Sequence, residues 1–302
     1  MTERASVLLD TDIGSDIDDA VCLAYLLRQP ACELVGVTTV SGQPRERAAL
    51  ASAVCRAAGR DDVPIYAGIE HELRSGRIVQ PNAEQVRVLP RFSHRSPDDF
   101  ETHGAVSFLR DTIRKRPGEL TLLGIGPMTN IGVLFAVDPE IPKLLKRIVL
   151  MCGVYAPSIE GAPLREWNAL CDPVATHIAY RSAAVPHLSV GLDVTTRCRI
   201  PATECIERFN SIGGPLSVVA AATEVWASGS GKMVTFHDPL AASLIFEPEI
   251  CTYDAGRVTV ELESTPLAGL TMFERNAAGP HHIARGVEPE KFFAEYWRIV
   301  SA

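Results

Sequence analysis

The sequence predicts one α/β domain over residues 1–302, with a mostly parallel central sheet flanked by helices. Three observations carry that prediction. Short apolar, strand-like runs alternate with longer segments of helical spacing, the pattern of parallel strands joined by helical crossovers. Polar or glycine-rich stretches follow the strand-like runs, where ligands sit in open α/β sheets. No low-complexity linker or internal repeat divides the 302 residues, and 46% hydrophobic content is ample for a large core.

The elements follow in order. Ser6–Asp10 contains Val7-Leu8-Leu9 and reads as a buried strand. Ile17, Ala20, Val21, Ala24 and Leu27 keep helical spacing, so a helix covers Ile17–Arg28. Glu33–Val40 reads as a strand, Gln43–Ala58 as a helix and Val63–Tyr66 as a short strand. Residues 69–100 are irregular, interrupted by Pro81, Pro90 and Pro97. Helix Ala105–Lys115 stops at Pro117-Gly118. Strand Leu120–Ile125, helix Thr129–Val137 and strand Arg147–Cys152 come next. A second irregular stretch, 153–171, precedes helix Pro173–Arg181 and strand His187–Leu192.

Charge and composition exclude several function classes. Net charge is −8 and no Lys/Arg-rich stripe occurs, so nucleic-acid binding has no electrostatic footprint. No apolar run reaches the roughly 20 residues a membrane span needs. Met-Thr-Glu-Arg leads directly into a strand without an apolar signal segment, which points to a cytoplasmic protein. The eight cysteines form no C-x-x-C pair and read as reduced, mostly buried thiols.

The most informative segment is Asp10-Thr11-Asp12-Ile13-Gly14-Ser15-Asp16-Ile17-Asp18-Asp19. Five carboxylates in ten residues follow a core strand. Like charges this close raise one another's pKa, and a cation of high charge relieves the repulsion. An all-oxygen set favours Ca²⁺ or Mg²⁺ over Zn²⁺. Helix capping would occupy only one or two of the five.

Four further constellations stand at segment ends. Gly126-Pro127-Met128-Thr129-Asn130 opens a helix, and a carbonyl there could complete a metal shell; an ordinary turn capped by Thr129 is the rival reading. Glu166-Trp167-Asn168 offers an acid and an amide that can both grip a polyol, with Trp167 pointing away into packing and Asp172 capping the next helix. In Phe236-His237-Asp238-Pro239, Asp238 fits an N-cap with Pro239 at the first helical position. Thr38-Thr39-Val40-Ser41-Gly42-Gln43 ends a strand in a turn.

Together these motifs, with Met151-Cys152-Gly153, Gly191-Leu192-Asp193-Val194-Thr195 and His237-Asp238-Pro239-Leu240, resemble the nucleoside hydrolases in order and spacing over about residues 6–245. The resemblance implies a nucleoside hydrolase-like open α/β fold that cleaves the N-glycosidic bond of ribonucleosides. It implies a Ca²⁺ ion held by Asp12, Asp19, the Thr129 carbonyl and Asp238, with a calcium-bound water deprotonated by Asp12. Asp18, Glu166 and Asn168 would hold the ribose hydroxyls, and Gln43 and Met151 occupy motif positions that also face the substrate. His237 matches a histidine near the leaving base, and Asp10 supports the site from behind. A homodimer or homotetramer is implied as well. The sequence departs from the family pattern at Ser15-Asp16-Ile17, which lengthens the first turn and makes Asp16 a rival to Asp18. It also departs at Gln43 and Glu160, each in place of an asparagine, and at Cys152, which displaces a glycine.

Two other readings are compatible with an Asp-x-Asp strand end. One is a haloacid-dehalogenase-type phosphatase using Mg²⁺, with Asp10 as nucleophile; no Lys-bearing motif in strand context accompanies it. The other is a non-catalytic nucleoside-binding protein, suggested by Gln43 and Glu160.

Overall fold

The computed structural model describes residues 4–80, 82–156, 163–228 and 231–302. Strand β1 (Ala5–Thr11) leads to helix α1 (Asp18–Arg28), β2 (Cys32–Thr39), α2 (Pro44–Ala57) and β3 (Ile65–Ala67). After two 3₁₀ segments, Glu84–Arg91 and Pro97–Asp99, come α3 (Gly104–Lys115), β4 (Leu120–Gly124), α4 (Thr129–Val137), α5 (Ile141–Leu144) and β5 (Arg147–Met151). Then follow α6 (Trp167–Cys171), α7 (Pro173–Arg181), β6 (His187–Val190), α8 (Leu192–Thr195), β7 (Arg199–Pro201), α9 (Ala202–Ile212) and α10 (Pro215–Trp226). The chain closes with β8 (Met233–Thr235), α11 (His237–Ser243), β9 (Cys251–Val260), β10 (Thr271–Arg275), β11 (His281–Val287) and α12 (Pro289–Val300).

A nine-stranded sheet runs β10-β9-β11-β6-β5-β4-β1-β2-β3. Pairings from β3 through to β11 are parallel, while β9 joins β11 and β10 antiparallel. The expected mostly parallel sheet is therefore present. Helices α4 and α7 have the bounds the sequence predicts. Helix α1 begins at Asp18, one residue later than expected, because the acid-rich loop extends through Ile17.

Strand β1 shows why its apolar run is continuous. Side chains alternate faces along a strand, so a strand covered on both sides is apolar throughout. Val7 and Leu9 enter one core with Tyr25, Leu50 and Tyr296, while Leu8 enters the other with Leu122, Ile131 and Tyr180. All three are fully buried. Truncating Leu8 or Leu9 to alanine would cost about 2–5 kcal/mol.

Strand order reverses direction at β1: β2 and β3 lie to one side, β4, β5 and β6 to the other. The connections after β1 and β4 therefore diverge, leaving a crevice beyond their carboxyl ends. Register brings Asp10 level with Thr38 on β2 and Gly124 on β4. No helix among the described residues is long and apolar enough to cross a membrane. All eight cysteines are buried and unpaired.

Candidate active site

A cavity of about 490 Å³ opens at this switch point. That size suits a small ligand. Its acidic wall comprises Asp12, Asp16, Asp18, Asp19, Glu166 and Asp238, and Arg165 is its one cationic side chain among the described residues.

The loop after β1 supplies most of the acids. Thr11 Oγ1 donates to Asp19 Oδ1 and accepts from the Ile13 amide, which fixes the first bend. Asp18 and Asp19 occupy the first turn of α1, where the helix dipole favours negative charge. From across the fold, the start of α11 delivers Asp238, whose backbone amide donates to Asp18 Oδ2 at 3.2 Å. Asp18, Asp19 and Asp238 each offer a carboxylate oxygen, and these oxygens lie within 4.8 Å of one another. Asp12 stands beside them, with its side chain engaging Asp19. This buried oxygen cluster has the composition of a hard-cation site. The tight group contains Asp18, which the sequence assigned to ribose, in addition to the expected Asp19 and Asp238. Asp16 sits exposed on the rim, so Asp18-Asp19 is the inward pair.

Burial dominates the electrostatics. It pushes the Asp12 carboxyl up to about 6, with nearby Arg47 opposing the rise. Asp18, Asp19 and Asp238 are raised by burial first and by a neighbouring carboxylate second: Asp16 for Asp18, Asp12 for Asp19 and Asp18 for Asp238. Asp10 lies behind the cavity wall, fully buried, with burial pushing it up to about 7. Its Oδ1 accepts from Thr38 Oγ1 at 2.5 Å and Asn130 Nδ2 at 2.8 Å. Asn130 also accepts from the Ile69 amide and donates to the Thr39 carbonyl, so Asp10 and Asn130 lock three strand ends together.

Glu166 is both a cavity residue and a helix cap. Its oxygens accept from the amides of Gly153 (3.1 Å), Asn168 (2.6 Å) and Ala169 (3.0 Å). The expectation that only Asp172 caps a helix here is thus corrected, since Glu166 caps α6 and Asp172 caps α7. Asn168 Nδ2 donates to the carbonyls of Ile125 (2.8 Å) and Met151 (3.1 Å), and Asn168, Ile125 and Met151 all line the cavity. Trp167 does not point away into packing. It is 47% exposed at the cavity mouth, and its Nε1 donates to Gln80 Oε1 at 3.0 Å. In a five-residue helix that starts at the mouth, successive side chains cannot all reach the core.

Two expected residues lie elsewhere. Thr129 opens α4 and does not line the cavity, and its hydroxyl donates to Asp172 Oδ2 at 2.8 Å. A carbonyl in the first turn points along the helix axis toward later amides; Ile125, directly after β4, lines the cavity instead, with its carbonyl accepting from Asn168 Nδ2. Gly126 is required there, because a Cβ would stand 2.8 Å from the Asp12 amide. Gln43 is also turned away. It adopts a left-handed backbone (φ 63°), and its Oε1 accepts from the Ala83 amide at 2.7 Å. Glu160 lies outside the described residues.

His237 does line the cavity, with Nδ1 2.7 Å from Thr195 Oγ1. Burial lowers its pKa to about 4, against an opposing pull from Asp16. With that shift the ring is neutral at pH 7. Residues the sequence did not single out also line the cavity: Gln80, Arg165 and Trp226. His71, His94 and His103 do not line it.

Residues 7–294 match the family model described as inosine-uridine preferring nucleoside hydrolase. A probable uridine nucleosidase of Oryza sativa subsp. japonica is 30% identical over 270 residues, covering 85% of this chain and 78% of its own length. The pyrimidine-specific ribonucleoside hydrolase RihA of Salmonella typhi is 28% identical over 281 residues, covering 89% and 88%. Among solved structures, a purine-preferring ribonucleoside hydrolase from Gardnerella vaginalis superposes with TM-score 0.83 at 25% identity over 98% of both chains. A plant nucleoside hydrolase, at 24% identity, shares the fold with TM-score 0.85 over 99% of both chains. The acids at the β1–β4 switch point thus stand where a family of N-glycosidic hydrolases has its model match, and the chain belongs to the inosine-uridine preferring nucleoside hydrolase family, enzymes that hydrolyse ribonucleosides.

Proposed function

We propose that this enzyme releases the base from ribonucleosides by attack of water on C1′, with Asp12 accepting the proton of that water. The observation that carries this reading is the convergence of Asp12, Asp18, Asp19 and Asp238, all buried, on one cavity. Four carboxylates with raised pKa values lack an opposing charge of sufficient size, and their all-oxygen chemistry fits Ca²⁺. Asp12, Asp19 and Asp238 would hold the ion, joined by Asp18 and the Ile125 carbonyl. Bound Ca²⁺ would supply a fixed double charge that orients the ribose hydroxyls and acidifies water.

The chain's own groups divide the remaining work. Glu166 and the Asn168 carbonyl oxygen accept hydrogen bonds from the ribose hydroxyls, and Met151 packs beside them. As the C1′–N bond breaks, positive charge develops on the ribose, and the carboxylate wall stabilises it. With Thr195 donating to Nδ1, neutral His237 carries its proton on Nε2 and donates a hydrogen bond to the departing base. Trp167, Trp226 and Leu192 supply apolar surface for that base and exclude water.

The phosphatase reading asks Asp10 to be a nucleophile, but Asp10 is fully buried and outside the cavity lining. The binding-protein reading drew on Gln43, which faces Ala83 rather than the cavity. A cytoplasmic homodimer or homotetramer completes the proposal, checked by sedimentation of the purified protein. The decisive experiment incubates the calcium-loaded enzyme with a panel of ribonucleosides and measures free ribose and base. Stoichiometric release of both from at least one nucleoside is expected. Phosphate release from sugar phosphates with no ribose from any nucleoside would overturn the reading.

A further inference from the structure

Among the described residues Arg47 is the largest fully buried side chain, and it makes no ion pair there. It rises from the first turns of α2. Its Nε donates to the Gly42 carbonyl at 2.7 Å. Its Nη1 donates to the Asp12 carbonyl and, at 3.1 Å, to that of Ile13. Its Nη2 makes a long contact of 3.5 Å with the Gln80 carbonyl. Every acceptor is a backbone oxygen, and the oxygens come from three separate loops.

Burying a cation is costly, and hydrogen bonds to neutral carbonyls, with the nearby Asp12 and Asp19 carboxylates, recover only part of that cost. An apolar side chain of similar size would fill the space more cheaply, so packing alone does not account for arginine here. What the guanidinium provides is a rigid planar fork with five donors. Two of the three loops it joins line the cavity, through Asp12 and Gln80, and the remaining one packs against the Gln80 loop. One carries Asp12. Another is the tight turn at Ser41-Gly42-Gln43, in which Ser41 and Gln43 both have positive φ. The third carries Gln80, which lines the cavity and holds Trp167.

The fit between the second and third loops is close. A Cβ on Gly42 would come within 2.1 Å of the Gln80 carbonyl oxygen. Secondary ties run in parallel. Gln43 accepts from the Ala83 amide, Ser15 Oγ donates to the Asn82 carbonyl, and Gln85 Nε2 donates to the carbonyls of Ser15 and Asp16. Among the described residues, Arg47 alone bonds to all three loops.

We propose that Arg47 is a positioning residue for glycosidic hydrolysis, one whose fork fixes the backbone of Asp12 and sets the Gln80–Trp167 wall at the substrate's distance. The guanidinium touches neither substrate nor reacting atoms. It acts through the carbonyls of Asp12 and Gln80. A lysine in its place has one ammonium group and cannot span the carbonyls, so Asp12 is expected to drift. Misplacement of a catalytic group by about 1 Å costs about 10²-fold in rate.

The kinetic part rests on the nucleosidase reading, so the test has two independent arms. Hydrogen-exchange mass spectrometry on calcium-loaded wild type and Arg47→Lys reads the tie itself. Faster exchange is expected in peptides covering 12–16 and 80–85, with the sheet unchanged. Kinetics on a nucleoside turned over by wild type read the consequence: kcat down about 10²-fold, KM changed far less. In Arg47→Ala, low-millimolar guanidinium is expected to restore part of kcat, and sodium at equal ionic strength is not; a loss of fold would not recover this way. Unaltered exchange in both loops would overturn the tie. Altered exchange with wild-type kcat, or a kcat loss that guanidinium leaves untouched, would overturn the positioning role. If wild type turns over no nucleoside, the nucleosidase reading fails while the exchange arm still decides the tie.

Discussion

Removing the cation should make the protein's stability depend steeply on pH. The unfolded Asp12 carboxyl titrates near 3.8, and in the fold burial moves it up to about 6. A raised acid means the folded state holds its proton over a range where the unfolded state has released it. Stability therefore falls as pH rises from about 4 through about 6 and stays low above. At about 1.4 kcal/mol per tenfold change in proton affinity, Asp12 alone costs about 3 kcal/mol at neutral pH. Asp10, moved from 3.8 to about 7, has the same sign and costs about 4 kcal/mol. Asp18, Asp19 and Asp238 shift the same way. In a protein whose total stability is about 5–15 kcal/mol, these are large fractions. Between pH 5 and pH 8 about three tenfold steps of these shifts remain, about 4 kcal/mol. At about 2 °C per kcal/mol, the Tm of EDTA-treated protein should therefore drop by about 8 °C from Asp12 and Asp10, and further from the other three acids. Calcium binds the ionised acids and competes with protons, so its stabilising effect should be larger at pH 8 than at pH 5. Scanning fluorimetry at both pH values, with EDTA or excess Ca²⁺, reads all four numbers. An equal calcium-induced shift at pH 5 and pH 8, or a stripped protein indifferent to pH, would refute the assignment of these acids to a cation.

Three further outcomes test single residues. Asp19→Ala should purify without stoichiometric calcium in elemental analysis, whereas full occupancy would move the ion elsewhere. Asn168→Ala should reduce turnover of every nucleoside to a similar degree, because its target is the ribose; a loss confined to one base would place Asn168 at the base instead. His237→Ala should slow a natural nucleoside far more than a nitrophenyl riboside, whose leaving group needs no help, with metal content unchanged. Because burial holds His237 near 4, any kcat limb near pH 6 should come from Asp12 and persist in His237→Ala; a limb that vanishes in that variant would assign a protonated imidazole to the reaction.

Much of this arrangement was legible in the sequence because the acids sit next to one another in it. A run of five carboxylates after Val7-Leu8-Leu9 implies both the strand and the charged turn without knowledge of the fold. The boundaries of α4 and α7 were legible too, since Thr129 and Pro173 open segments of unambiguous helical spacing. Orientation was not. Gln43 stands at the expected motif position, but its left-handed backbone swings the amide toward Ala83. Thr129 stands in the expected turn, but its place inside the first helical turn leaves Ile125 nearer the cavity. His237 was identifiable as a site residue, whereas its neutral state depends on burial, which no local pattern encodes. Arg47 gave no signal at all. An arginine on an amphipathic helix reads as solvated, and the acceptors of Arg47 are backbone carbonyls from positions as remote as 12 and 80. Nor was the antiparallel β9–β11 edge foreseen, because the reading of alternating segments ended at residue 192.

The central claim is that Asp12 takes the proton of the attacking water. Turnover by Asp12→Asn, compared with wild type at matched calcium content on the best nucleoside of the panel, tests it most directly. The substitution keeps size and shape but removes the base. Loss of a general base alone costs about 10²–10⁴-fold, so kcat should fall by roughly three orders of magnitude while the variant still binds nucleoside. Near-normal kcat in a calcium-loaded Asp12→Asn enzyme would contradict the mechanism and move the base elsewhere, with Asp16 on the cavity rim the next residue to test.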